Sequence, residues 1–419
     1  MKLKQILSKQ LELIKPDKET SENINNISKN FVNDLNKKLK KKKINAEVFI
    51  GGSLAKKTLV KKRNYDVDIF VRFNNKYEDK EISRLLGGVL GKSTKKVHGS
   101  RDYYQIIIKG IIIEIIPVLK IKKPENAENV MDLSYFHVNY ILKKIKIKNK
   151  LTDEIMIAKS FCHAQKAYGA ESYIHGFSGY SLELLIIHYG SFKKFLKEII
   201  KNKKDKIIID DSKFYKKNRV LRELNESKIN SPIILIDPTY KERNALAGLN
   251  EETFVKFKQV VKRFLKNPNS KFFETKNIRE ELKNKYKDKL KIISIKTNKQ
   301  KGDIAGTKSK KFFDFFKPVL KKEFLINIAK FDYDEEKNIA EFYFILNKKS
   351  DELIRGPFIK DKKNVKRFKQ VHKKIIKKKE VVYAKIKHNL SFKQWINVFL
   401  EKQKRIIKQM SISKISLIK

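Results

Sequence analysis

Residues 51–73 read Gly-Gly-Ser-Leu-Ala-Lys-Lys-Thr-Leu-Val-Lys-Lys-Arg-Asn-Tyr-Asp-Val-Asp-Ile-Phe-Val-Arg-Phe, and their reading decides the fold. The stretch opens with a small-residue turn and closes in a strand. Side chains on a strand alternate faces, so Asp66 and Asp68 share one face with Phe70 and Arg72. Val67, Ile69, Val71 and Phe73 form the opposite, apolar face. Two carboxylates so close repel unless a cation sits between them. Magnesium suits the pair: it takes hard oxygen ligands from one or two carboxylates and completes its shell with water and substrate phosphates. The turn before the strand is a natural phosphate seat, because Gly51 and Gly52 let backbone N–H groups approach an anion and Ser53 adds a hydroxyl. A helix starting after Ser53 would add a favourable dipole.

A third ligand can be sought by its cost. Residues 110–119, Gly-Ile-Ile-Ile-Glu-Ile-Ile-Pro-Val-Leu, are too apolar for anything but a buried strand and too short to span a bilayer. Glu114 sits in their middle. An unpaired buried carboxylate costs several kcal/mol, so it must be paired or bound to metal. A salt bridge to a lysine is one solution. The other is that this strand lies beside 65–73 and that Glu114 completes a three-carboxylate site.

Gly-Ser, a spacer, Asp-x-Asp on one strand and a third acid on a later strand resemble the nucleotidyltransferase core of the DNA polymerase β superfamily. Later blocks narrow the resemblance. Residues 159–180 (KSFCHAQKAYGAESYIHGFSGY), 236–249 (IDPTYKERNALAGL) and 355–369 (RGPFIKDKKNVKRFK) resemble, in order, blocks of the archaeal-type, class I CCA-adding enzymes, which are tRNA nucleotidyltransferases. The resemblance implies addition of C, C and A to the 3′ end of tRNA from CTP and ATP, with two Mg2+ ions held by Asp66, Asp68 and Glu114. It also implies nucleotide binding by Gly52, Ser53, Lys56, Ser134, His137, Lys159, Tyr168 and Arg243. Lys159 would reach the triphosphate, Tyr168 the incoming nucleotide and Arg243 the base edge. The sequence departs from the family at three places: Glu114 stands for the usual aspartate, and Leu133 and His175 stand for arginines.

The implied fold class is α+β. A polymerase-β-like head with a small mixed sheet (1–150) precedes a helical central domain (151–270) and an α+β C-terminal RNA-binding domain (271–419). Within the head, helices are expected over 2–14, 22–40 and 78–92, with the first two behind the sheet, and strands over 46–50 and 102–109. Residues 155–167 read as helix and 201–230 as a variable lysine-rich excursion. Residues 271–310 read as a bridge between modules, 363–377 as a basic helix and 391–410 as a final helix.

Composition points to the same partner. Among 419 residues, 98 Lys and Arg face 47 Asp and Glu, a net charge of +51. That excess implies a polyanion, and nucleic acid is the default; the abundance of lysine, isoleucine and asparagine also fits an AT-rich genome. The single cysteine, Cys162, excludes an intrachain disulfide and a cysteine-cluster zinc site. The N-terminal stretch is not a signal peptide and no long uncharged apolar segment occurs, so a soluble cytoplasmic protein without a membrane partner is expected. The oligomeric state, a homodimer included, is not readable. The rival readings are a poly(A) polymerase or oligoadenylate synthetase on the same core, a catalytically inactive tRNA-binding protein, and a protein-modifying nucleotidyltransferase, which the long basic C-terminal half disfavours.

Overall fold

Two helices open the chain, α1 (Lys2–Ile14) and α2 (Lys18–Lys41). The Asp17 carboxylate accepts the Thr20 backbone N–H and starts α2 ahead of the expected Glu22. This computed structural model describes residues 2–216, 219–298, 300–372 and 374–418. The chain divides into two units, Met1–Thr275 and Lys276–Lys419.

In the first unit follow β1 (Ala46–Ile50), the single turn α3 (Gly52–Ala55), β2 (Tyr65–Phe73), α4 (Asp79–Leu90), β3 (Lys95–Val97), β4 (Tyr103–Ile108) and β5 (Ile111–Leu119). The five strands make one sheet in the order β1-β2-β5-β4-β3. β2 and β5 run parallel and the other pairs antiparallel, so the sheet is mixed. Val67, Ile69, Val71 and Phe73 are wholly buried against Ile24, Leu35 and Leu39 of α2 and Ile82 and Leu86 of α4. This strict alternation fixes the register, since a slip by one residue would drive Asp66 and Asp68 into that core.

The expectation that both opening helices lie behind the sheet holds for α2 only. Leu3, Ile6, Leu7 and Leu11 of α1 pack on a second, helical core instead, and the Gln10 amide donates to Ser160 Oγ at 3.2 Å. Pro16 ends α1 and lets the chain change direction before α2.

That helical core is built from α5 (Ser134–Ile147), α6 (Leu151–Ala164), α7 (Gly179–Tyr189) and α8 (Phe192–Lys201). Next come β6 (Ile207–Ile209), the single turns α9 (Val220–Glu223) and α10 (Glu226–Ile229), β7 (Ile233–Asp237), β8 (Tyr240–Asn244) and α11 (Glu251–Lys266). Phe161, Phe177, Phe192, Phe195, Phe257 and Phe264 fill its centre. The lysine-rich excursion is more ordered than expected: Ile207–Ile209 pairs in parallel with β7, and β7 pairs with β8, the strand carrying Arg243.

The second unit contains α12 (Ile278–Tyr286), β9 (Leu290–Thr297), α13 (Gly302–Lys321), β10 (Phe324–Asp334), β11 (Ile339–Lys348), β12 (Glu352–Phe358) and α14 (Lys362–Val371). It ends with β13 (Ile375–Lys378), β14 (Val381–Ile386), α15 (Phe392–Lys402), α16 (Lys404–Gln409) and β15 (Ile412–Leu417). Its sheets run β10-β11-β9-β15 and β12-β14-β13. The expected bridge over 271–310 is therefore wrong: β9 is an interior strand, with Leu290, Ile293 and Ile295 buried. The basic helix stops at Val371 and Ile375–Lys378 is a strand; the last helix breaks in two at Gln403. Among the described residues no helix is long and apolar enough to cross a membrane.

Candidate active site

β1 delivers the chain into the Gly51-Gly52 turn, which is pressed against β2. The Gly51 N–H donates to the Asp68 carbonyl at 2.8 Å. Gly52 has φ +56°, and a Cβ there would lie 1.7 Å from Asp68 Oδ2. Only glycine fits both the backbone conformation and the close approach of the carboxylate. Because α3 is one turn long, the turn has no appreciable helix dipole of the kind the sequence allowed, only its backbone N–H groups and the Ser53 hydroxyl.

The carboxylates follow from the sheet register. Asp68 stands opposite Glu114 across the parallel β2–β5 pair, and Gln105 of β4 stands opposite Glu114 on its other side. Asp66 lies one alternation back along β2, on the same face. Asp66 pairs with Lys62, and Glu114 Oε1 accepts the Gln105 amide at 2.7 Å. Glu114 is half-buried, and the Gln105 amide is one of its partners. Burial raises the pKa of Asp68, the charge of Asp66 raises it further, and the nearby Lys56, Lys62 and Lys159 offset this only in part. Among the described residues no three such side chains already close on a common point. The donor set nevertheless suits a hard divalent cation: it is all oxygen, burial and Asp66 make Asp68 costly to ionise, and the missing Cβ at Gly52 lets the Asp68 carboxylate lie against the turn.

Beside this face lies a buried cluster of cations around one anion. Glu183 of α7 is 0% exposed; its Oε2 accepts from Lys56 Nζ at 2.6 Å and its Oε1 from Lys159 Nζ at 2.8 Å. Thr58 Oγ1 lies 3.3 Å from Glu183 Oε1 and accepts from Lys159 at 2.8 Å. Burial raises the carboxyl pKa of Glu183, but Lys159 and Lys56 outweigh it and hold it below its usual value. Burial lowers the pKa of Lys159, against the pull of Glu183. Tyr168 sits past the end of α6, bridged to Phe177, with its hydroxyl against Gly179; burial drives its pKa up, helped by Glu183 and Asp66.

Arg243, His137 and Tyr180 converge on a different carboxylate, Asp237, at the end of β7. Arg243 Nη1 donates to Asp237 Oδ2 at 2.7 Å, and Tyr180 Oη to Oδ1 at 3.0 Å. The Thr239 backbone N–H and hydroxyl add two more bonds to Oδ1. His137 stacks on Tyr180 at 4.0 Å, and its Nε2 is 2.9 Å from Asp237 Oδ2 but off the hydrogen-bonding line. Burial lowers the pKa of His137 despite that neighbour, keeping the ring neutral. Burial opposes the charge of Asp237, yet His137, Arg243 and Thr239 together hold its pKa far below the usual range. Ser134 begins α5. Leu133 belongs to the sheet core at 2% exposure, and His175 Nδ1 is bound to the Gly248 carbonyl at 3.2 Å.

The structure thus places Gly52, Ser53, Lys56, Asp66, Asp68, Glu114 and Lys159 around one face, and His137 and Arg243 around Asp237. Glu183, Thr58 and Asp237 were not among the sequence-derived site residues. A signal for Glu183 was present: it is the lone acid in Leu182-Glu-Leu-Leu-Ile-Ile187, the same pattern that singled out Glu114.

Residues 153–274 match the family described as tRNA nucleotidyltransferase, second domain, and residues 1–133 match the Second Messenger Oligonucleotide or Dinucleotide Synthetase domain. The chain is 43% identical over 212 residues to a CCA-adding enzyme of Nanoarchaeum equitans, covering 50% of this chain and 52% of that protein. It is 28% identical over 308 residues to that of Thermoplasma volcanium (72% and 66%) and 28% identical over 387 residues to that of Methanocaldococcus jannaschii (89% and 85%). The matched region therefore spans about half the length of the first relative and 66% of the second. Among solved structures, a cytoplasmic RNA terminal U-transferase (TM-score 0.51, 12% identity, 66% of this chain and 99% of that one) shares the fold. So does the Cid1 poly(U) polymerase (TM-score 0.51, 12% identity, 65% and 98%).

Proposed function

We propose that the chain is an archaeal-type CCA-adding enzyme, like the relatives it resembles, and that it adds C, C and A to the 3′ end of tRNA, using CTP and ATP and releasing pyrophosphate. The observation that carries the reading is the shared face on which Asp66, Asp68 and Glu114 meet the Gly51-Gly52 turn and the Lys56–Glu183–Lys159 cluster. We assign nucleotidyl transfer to residues 1–150, nucleotide recognition to 151–270 and tRNA binding to 271–419, in the cytoplasm.

Asp66, Asp68 and Glu114 would hold two Mg2+ ions, which when bound supply charge neutralisation at the phosphates and a more acidic 3′ hydroxyl. The protein supplies placement. Backbone N–H groups at Gly52 and the hydroxyl of Ser53 receive triphosphate oxygens. Lys56 and Lys159 face the negative charge that builds on the leaving pyrophosphate. Tyr168, Ser134 and His137 contact the nucleotide, and neutral His137 serves as a hydrogen-bonding and stacking group rather than a cation. Arg243, steadied by Asp237, directs its remaining donors at acceptors on the base edge.

The test is incubation with tRNA lacking CCA and each nucleoside triphosphate alone and together, read as product length at nucleotide resolution. CTP alone should extend the tRNA by C residues only, and CTP with ATP should complete CCA and stop. Long tails from ATP alone would indicate a poly(A) polymerase. Short oligonucleotides made without any tRNA would favour the synthetase domain that residues 1–133 also match.

A further inference from the structure

Glu183 lies at the centre of a charge arrangement that stability alone does not explain. Two ammonium groups and one carboxylate are buried together, and the Asp68 carboxylate lies near enough to act on both lysines. A buried ion group of this kind gains little over well-packed apolar side chains, whereas an incomplete one is costly. The cations also come from two separate parts of the fold. Lys56 and Thr58 follow the Gly51-Gly52-Ser53 turn, while Lys159 and Glu183 stand on neighbouring helices of the helical core. Glu183 touches both lysines, one carboxylate oxygen to each.

We infer that Glu183 is a positioning residue for triphosphate recognition: its two oxygens fix Lys56 and Lys159 side by side as paired cations for a polyphosphate. This rests on the nucleotide-binding reading above. Asp66, Asp68, Lys62 and Tyr168 also face the cluster, so its charge balance is set locally. Without the carboxylate, two like charges confront each other in a buried space. One must lose its proton or both must move apart, and either way the phosphates lose a fixed cation.

The full chain should be titrated with CTP, CDP and CMP by calorimetry, comparing wild type, Glu183→Gln, Lys56→Gln and the double variant. Glu183→Gln should weaken CTP binding ~10–100-fold, the scale of one charge-assisted contact, with CMP binding nearly unchanged. In the Lys56→Gln background the same change should cost much less, because the pair that Glu183 organises is already gone. Equal losses for CTP and CMP, or additive losses in the double variant, would overturn the positioning role and leave Glu183 as a packing element. The double variant, with its charges rebalanced, keeps the test usable if Glu183→Gln unfolds. Should Lys56→Gln itself leave the CTP-over-CMP preference intact, the nucleotide reading fails rather than the role of Glu183.

Discussion

Asp68 and Asp237 are the same side chain, each partly or wholly buried within one unit, and their surroundings push them in opposite directions. Around Asp237 every direction is filled: Arg243, Tyr180 and two donors from Thr239 point at it, and its pKa falls well below the usual range. Around Asp68 burial is joined by a second carboxylate, Asp66, and its pKa rises. A carboxylate saturated by its own protein is a positioning element, with no reason to bind a further cation. A carboxylate held at a cost, beside another and against a glycine that leaves it room, is one whose charge a bound cation would relieve.

The contrast breaks most visibly in turnover. Asp66→Ala or Asp68→Ala should reduce nucleotide incorporation on the order of 10³-fold or more, beyond the ~10–100-fold typical of residues that only support a metal ligand. Affinity for tRNA should persist in a filter-binding assay. Glu114→Gln should be severely impaired too, while Glu114→Asp asks whether the family's usual residue works at the end of a Gln105 hydrogen bond. Unchanged incorporation in any alanine variant would remove that residue from the site.

Asp237→Asn should show its effect in stability. Replacing the anion leaves the part-buried Arg243 facing a neutral amide, at a cost of about 1–3 kcal/mol, below that of a fully buried pair. The sign with pH follows from the lowered pKa. The contribution of Asp237 is fully present above the ordinary aspartate range and is lost as pH falls toward its depressed folded value. Denaturant curves for wild type and variant should therefore differ at neutral pH and converge in strong acid.

How far the sequence reached is explained by the same two sites. Asp66 and Asp68 were legible because a period of two is local, and Glu114 because a lone acid in an apolar run must be compensated. Glu183 obeyed the second rule but lies in a helix that is apolar on nearly all sides, where no alternation marks a site face. Asp237 was legible only as part of a block, since its partners come from α5, α7 and the β7–β8 hairpin, a meeting set by tertiary structure. β9 was missed because Lys291 and Lys296 interrupt its apolar residues, which only its neighbours β11 and β15 reveal as interior. α1 was assigned to the wrong core because an amphipathic helix states that it has a partner, not which one.

Arg243→Ala tests what the saturated carboxylate positions. Arginine can donate to cytosine O2 and N3 or to adenine N1, whereas guanine N1 and uracil N3 present donors in return. A donor facing a donor costs on the order of 1–3 kcal/mol, roughly a tenfold to hundredfold preference. Misincorporation of UTP and GTP relative to CTP and ATP should rise by that factor, measured as kcat/KM on tRNA ending before CCA. An equal fractional loss for all four nucleotides would reduce Arg243 to a clamp on Asp237.

The smallest effect is the most discriminating, because it asks whether Asp68 is costly to the fold. With its pKa raised by burial and by Asp66, an ionised Asp68 disfavours the folded state at neutral pH. Asp68→Asn keeps the shape and removes the charge, so in metal-free buffer it should stabilise the protein by about 1 kcal/mol, as relief at functional sites commonly does. In a chain of this size that is a rise in Tm of roughly 2–4 °C. The gain should vanish at acid pH, where the wild-type carboxyl is itself protonated. Added Mg2+ should raise the Tm of wild type and leave the variant nearly unmoved, since the cation relieves the repulsion that the substitution has already removed. A variant less stable than wild type at neutral pH would mean that Lys56, Lys62 and Lys159 hold Asp68 as firmly as Arg243 holds Asp237. The two carboxylates would then be alike, and the distinction between a carboxylate held at a cost and one saturated by its own protein would fail.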